Sequence, residues 1–67
     1  MSVAKVSEIS ATSAVSFEDA ITQGIARANK TLRKVRSVWI KEQHVRVANE
    51  AITEYQVNMM VTFVIDD

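Results

Sequence analysis

The clearest pattern along the chain is the alternation in Ile52 to Ile65, ITEYQVNMMVTFVI. These fourteen residues contain no glycine, proline or serine and are rich in β-branched and aromatic side chains. That composition predicts a strand. Taken with period two, one set is Tyr55, Val57, Met59, Val61, Phe63 and Ile65, apolar except for a phenol. The other is Glu54, Gln56, Asn58, Met60, Thr62 and Val64, which is mixed. A strand sends the two sets to opposite faces. One face is therefore expected on a core, and the other against something more polar.

A second pattern has helical spacing. Phe17, Ala20, Ile21, Gly24, Ile25, Ala28, Leu32 and Val35 recur at steps of three and four with adjacent pairs, the stripe of an amphipathic helix over 17–35. Ser16 is a suitable N-cap, and Asp19 at N3 can reach back as a shortened capping box. Glu18 and Asp19 suit the positive end of the helix dipole, and Arg27, Lys30, Arg33 and Lys34 the negative end. Gly24 within the buried stripe predicts a close approach to a sheet or a neighbour.

The remaining segments are weaker. Residues 3–10, VAKVSEIS, read as a short strand, and 11–15 as a polar connection. Residues 37–48, SVWIKEQHVRVA, read as another strand, joined to 52–65 through Asn49 and Glu50 as a hairpin. Uninterrupted alternation places Ser37, Trp39, Lys41, Gln43, Val45 and Val47 on one of its faces. Val38, Ile40, Glu42, His44 and Arg46 fall on the other.

The expected fold class is α+β: β-α-β-β, with a three-stranded antiparallel sheet in order 1-3-2 and one helix on one face. The longest and most apolar strand is then central. The helix covers the Tyr55–Ile65 phase. The opposite face, with Glu54, Gln56, Asn58, Met60, Thr62 and by pairing Trp39, stays open.

Size and charge narrow the function. The chain has 67 residues, which bounds it to a single domain, 1–67. A domain of that size buries only about 60% of its unfolded surface. There are no cysteines and one histidine, so disulfides, thiolate sites and a multi-His site within one chain are excluded. Self-association is the expected support, since 48% of the residues are hydrophobic. Zero formal net charge argues against a nucleic-acid partner, and an RNA-binding βαββ module also lacks its basic face and exposed aromatics. No apolar run reaches the ~20 residues of a membrane span. MSVAKVSEIS has neither the core nor the cleavage pattern of a signal peptide, so no membrane partner and a cytoplasmic location are expected.

Candidate chemistry is sparse. Trp39 is a flat surface for a ligand or a subunit contact, and Gln56 offers one acceptor and two donors to a heterocycle edge. His44 has no nucleophile or orienting group that would make it a catalytic base. Glu8, Glu42, Glu50, Glu54, Asp66 and Asp67 could hold a cation only where copies meet. No phosphate loop, nucleophile elbow or metal motif is present, so a binding or storage module is expected rather than an enzyme.

Several short pieces then carry a resemblance. Lys5-Val6, Thr12-Ser13, Ala26-Arg27-Ala28, Lys30-Thr31-Leu32-Arg33, Tyr55-Gln56-Val57 and Val61-Thr62-Phe63, in this order and spacing, resemble the dodecins over nearly the whole chain. The resemblance implies a hollow shell of twelve subunits with helices outside. It implies storage of riboflavin, FMN or FAD, bound as stacked pairs between tryptophans at the start of strand 2. A glutamine of strand 3 bonds the ring edge, and Gln56 matches it. An ungapped alignment puts Ser37 at the usual stacking position, with Trp39 two residues further on, about 6.6–6.8 Å along the strand. The resemblance thus marks Trp39, Gln56 and Ser37 as the ligand-site residues. Val35-Arg36-Ser37 followed by Lys41-Glu42-Gln43 is similar to a branch linked to calcium, which implies as alternative a flavin-free assembly holding cations or another small molecule.

Overall fold

A computed structural model of the chain describes residues 3–32 and 34–65. The order is β1 (Val3–Ser13), α1 (Phe17–Thr31), β2 (Val35–Ala48) and β3 (Ala51–Ile65). The sheet order is β1-β3-β2 with both pairings antiparallel, as the element order requires once β3 is central. Val57, Met59 and Val61 are fully buried on the face beneath α1, where they meet Ala20, Gly24 and Ala28 of the helix. The expected apolar phase of β3 is therefore the core face. Phe17 closes one end of it, edge-on to Tyr55 with ring centroids 5.1 Å apart.

The start of α1 is capped by two serines. Ser16 Oγ accepts from Asp19 N–H at 3.0 Å, the usual N-cap bond. The return half of the capping box is not made by Asp19. Its carboxylate instead accepts from Ser13 Oγ at 2.6 Å and from Gln23 Nε2. Ser13, which is buried, takes the Val15 and Ser16 N–H groups on its own hydroxyl at 2.9 and 3.4 Å. β1 accordingly runs to Ser13, past the boundary at residue 10, and the connection is short.

The helix ends earlier than its stripe. Leu32 is extended, with its N–H on Ala28 O at 2.7 Å. Lys34 takes the left-handed region at φ 58°, and Val35 already pairs with Phe63. Leu32 and Val35 continue the helical spacing, yet strand pairing claims this segment: Val64 N–H donates to Lys34 O at 3.2 Å. The helix is therefore 17–31 rather than 17–35, and β2 begins at 35 rather than 37.

Gly24 stands where α1 comes closest to the sheet. A Cβ there would overlap the Met59 methyl and lie 3.2 Å from Ala11 Cβ. At the hairpin, Asn49 and Glu50 have φ of 52° and 63°, the signature of a type I′ two-residue turn. Asparagine tolerates this region, whereas a glutamate there carries the steric cost of its Cβ.

β2 does not alternate evenly. Its register against β3 shifts between Val35 and Ser37 and again between Ile40 and Glu42, leaving Arg36 and Lys41 as extra residues; Thr53 is a third, on β3. The shift at Lys41 reverses the phase of the rest of the strand. Glu42 pairs with Asn58, His44 with Gln56 and Arg46 with Glu54, so all three lie on the open face. His44 therefore shares the face of Trp39, contrary to the uninterrupted alternation. Gln43 and Val45 turn to the helix side.

Three substitutions have expected effects on stability, measurable by urea unfolding at fixed protein concentration. Gly24→Val costs about 1–3 kcal/mol through overpacking. Gly24→Ala stays near neutral, because a helix-propensity gain of about 1 kcal/mol offsets a small shift of the flexible Met59 methyl. Glu50→Gly stabilises the hairpin by about 1 kcal/mol by removing the left-handed strain.

Candidate functional site

The open face is one continuous surface with two chemical halves. Toward the start of β2, Ser37 pairs with Thr62 and Trp39 with Met60, while Val6 of β1 pairs with Thr62 from the other side. Trp39 is 51% exposed beside Met60 and Val6 is exposed beside Thr62, so this half is largely apolar. Toward the hairpin lie Ser10, Thr12, Asn58, Gln56, Glu42, His44, Glu54 and Arg46. The boundary is crossed by Lys41, whose Nζ lies 3.3 Å from Glu8 Oε1, reaching over β3 from one edge strand to the other. Such an exposed pair is worth little by itself, about 0–1 kcal/mol.

The polar half is tied together by side-chain bonds. Gln56 Nε2 donates to Ser10 Oγ at 2.9 Å and to Asn58 Oδ1 at 3.3 Å. Asn58 Nδ2 donates to Glu42 Oε1 at 2.7 Å. The chain Ser10–Gln56–Asn58–Glu42 thus crosses all three strands. Nearer the turn, Arg46 Nε bonds Glu54 Oε1 at 3.0 Å, and Thr53 Oγ1 donates to the Arg46 carbonyl at 3.3 Å.

Trp39, Gln56 and Ser37 all stand on this face, but they are not brought together. In register Trp39 is level with Met60, four residues from Gln56, or about 13 Å along the strand. Ser37, level with Thr62, is two residues further still. His44 is the β2 residue opposite Gln56. Sequence reasoning singled out Gln56 but not the bonds of Ser10, Asn58 and Glu42 to it. Asn58 is legible as the next same-face residue of β3; Ser10 and Glu42 require the register.

The carboxylates are engaged separately, Glu8 by Lys41, Glu42 by Asn58 and Glu54 by Arg46. Asp66 and Asp67 lie outside the described residues. Among the described residues no three His, Cys, Asp or Glu side chains converge on a metal position. None of the described helices is long and apolar enough to cross a membrane.

Comparison with known proteins gives this architecture a relationship. No curated protein matches the sequence. Among solved structures, a variant of the Thermus thermophilus dodecin is 34% identical over 100% of both chains, with a TM-score of 0.94. The dodecin from Streptomyces davaonensis is 30% identical over 98% of this chain and 97% of that one, with a TM-score of 0.93. A calcium dodecin from Mycobacterium tuberculosis, described as having a novel calcium-binding site, is 28% identical over 96% and 91% with a TM-score of 0.83. The Dodecin family model matches residues 3–66, and with it the chain belongs to the dodecin family.

Proposed function

We propose that this protein is a flavin-binding storage protein, sequestering riboflavin or a related flavin inside a homododecameric shell in the cytoplasm, and that it is not an enzyme. The observation that carries the reading is Gln56 and an exposed Trp39 on one uncovered sheet face of a dodecin fold. The tryptophan supplies a stacking surface and the glutamine a hydrogen bond to the ring edge. The two stand about 13 Å apart along the strand, so in this reading the ring's stacking partner and its edge partner are supplied by different copies and binding depends on assembly. Exposed Val47, Ile52 and Ile40 supply further apolar surface for that assembly.

A second reading has its own support. Ser37 occupies the aligned stacking position, and one relative is described as a calcium dodecin. In that reading the shell holds cations contributed by carboxylates of several copies, and no flavin.

Light scattering is expected to give a mass near twelve times the 7.5 kDa chain; a monomer or dimer mass removes the shell. Riboflavin titration is expected to quench both flavin and tryptophan fluorescence at micromolar concentration. Trp39→Ala then weakens binding about tenfold or more, since stacking of a heterocycle on an aromatic side chain contributes about 1–3 kcal/mol. A shell that leaves riboflavin fluorescence unchanged but gains thermal stability with calcium selects the second reading.

A further inference from the structure

The direction in which Gln56 points its amide is set by a carboxylate it does not touch. An ionised carboxylate accepts hydrogen bonds and donates none. Glu42 Oε1 is 2.7 Å from the Asn58 amide, so Asn58 turns its nitrogen to Glu42. Its oxygen then faces Gln56 and is an acceptor. Gln56 answers with Nε2, which donates to Asn58 Oδ1 and to Ser10 Oγ. Both Nε2 hydrogens are committed within the sheet. Among the described residues nothing donates to Gln56 Oε1, so the carbonyl oxygen is what Gln56 offers to the open face. Turning Gln56 over would set its oxygen against the Asn58 oxygen, two acceptors with no proton between them.

We propose that Glu42 and Asn58 are positioning residues that hold Gln56 as a hydrogen-bond acceptor, so that the site selects a heterocycle edge bearing an N–H over the same edge with that nitrogen alkylated. The inference rests on the flavin reading and adds which atom of Gln56 meets the ring and what holds it there. The isoalloxazine ring carries one N–H, between two carbonyls, and that group is the donor a fixed carbonyl oxygen would read. A site built to bond an N–H discriminates against an analogue lacking it, because its own acceptor is left unpaired.

The test compares riboflavin with 3-methylriboflavin, titrated against the assembled protein and against Glu42→Ala, Glu42→Gln and Glu42→Lys. The original protein is expected to prefer riboflavin by about tenfold or more. Glu42→Gln keeps an acceptor for Asn58 and retains that preference. Glu42→Ala reduces it to about threefold or less. Glu42→Lys, which can only donate, turns both amides over and removes it. Equal preference in all four proteins overturns the proposal. Should the alanine variant fail to assemble, the glutamine–lysine contrast decides alone. A ligand-free arm separates the two levels of the claim: the side-chain amide signals of Gln56 in a 15N NMR spectrum are expected to move in Glu42→Lys and to stay in Glu42→Gln. Riboflavin that does not bind the original protein overturns the flavin reading, and unmoved Gln56 signals in Glu42→Lys overturn the positioning role.

Discussion

An α-helix advances about 1.5 Å per residue and a strand about 3.3 Å, so α1 spans roughly 22 Å while β3, with as many residues, spans roughly 50 Å. The molecule is accordingly 52 Å long and only 13 Å in its shortest dimension. The helix reaches the sheet at a small-residue seam, Ala20, Gly24 and Ala28, against Val57, Met59 and Val61. Beyond that seam and the Phe17–Tyr55 pair, cover within one chain thins. The hairpin end projects past it with Val47 63% and Ile52 51% exposed. The shortage that makes the monomer a poor free-standing domain also leaves one whole face of the sheet available for a ligand and for other copies.

The extra residue at Lys41 organises what that face presents. Without the bulge, Lys41 would stand opposite Asn58 where Glu42 stands, Gln43 would stand opposite Gln56 where His44 stands, and the Glu42 carboxylate would turn toward the helix side. With it, Glu42 comes within 2.7 Å of Asn58, and His44 faces Gln56. Lys41 itself reaches across β3 to Glu8. One inserted residue therefore joins three effects: it turns the rest of β2, supplies the carboxylate that orders the polar chain, and marks the boundary between the apolar and polar halves. A bulge on an edge strand that re-aims side chains beside a binding surface is a recurrent use of that irregularity.

Much of this was legible in the residues because it depends on period and composition. The alternation in β3, the helical stripe from Phe17 to Ala28, the close approach at Gly24 and the central place of β3 all come from such signals. The end of the helix was not legible, since Leu32 and Val35 keep the helical spacing and no glycine or proline interrupts it; the stop is made by pairing with a strand thirty residues away in sequence. The face of His44 was hidden for a related reason. A bulge at Lys41 has no compositional mark, and a single extra residue inverts every assignment after it. Gln56 was visible as a polar residue in a mixed phase, whereas its partner Ser10 lies forty-six positions away and becomes a neighbour only through the sheet.

The same irregularity bears on how the displaced tryptophan is compared with relatives. From Trp39 to the level of Gln56 the chain takes five residues of β2 but four of β3, because Lys41 is taken up by the bulge. Position along the sheet is therefore set by the β3 partner and not by a count along β2. On that measure Trp39 is level with Met60 and Ser37 with Thr62, so the shift from serine to tryptophan carries the aromatic surface two residues toward the polar half. It then stands at the margin of the apolar half, beside the Lys41–Glu8 bridge that bounds it. A planar group resting on Trp39 would therefore lie next to that charged bridge, two residues nearer the polar chain than one resting at Ser37. The displacement thus alters which side chains surround the aromatic surface, while Gln56 keeps its bonds to Ser10 and Asn58 in the polar half.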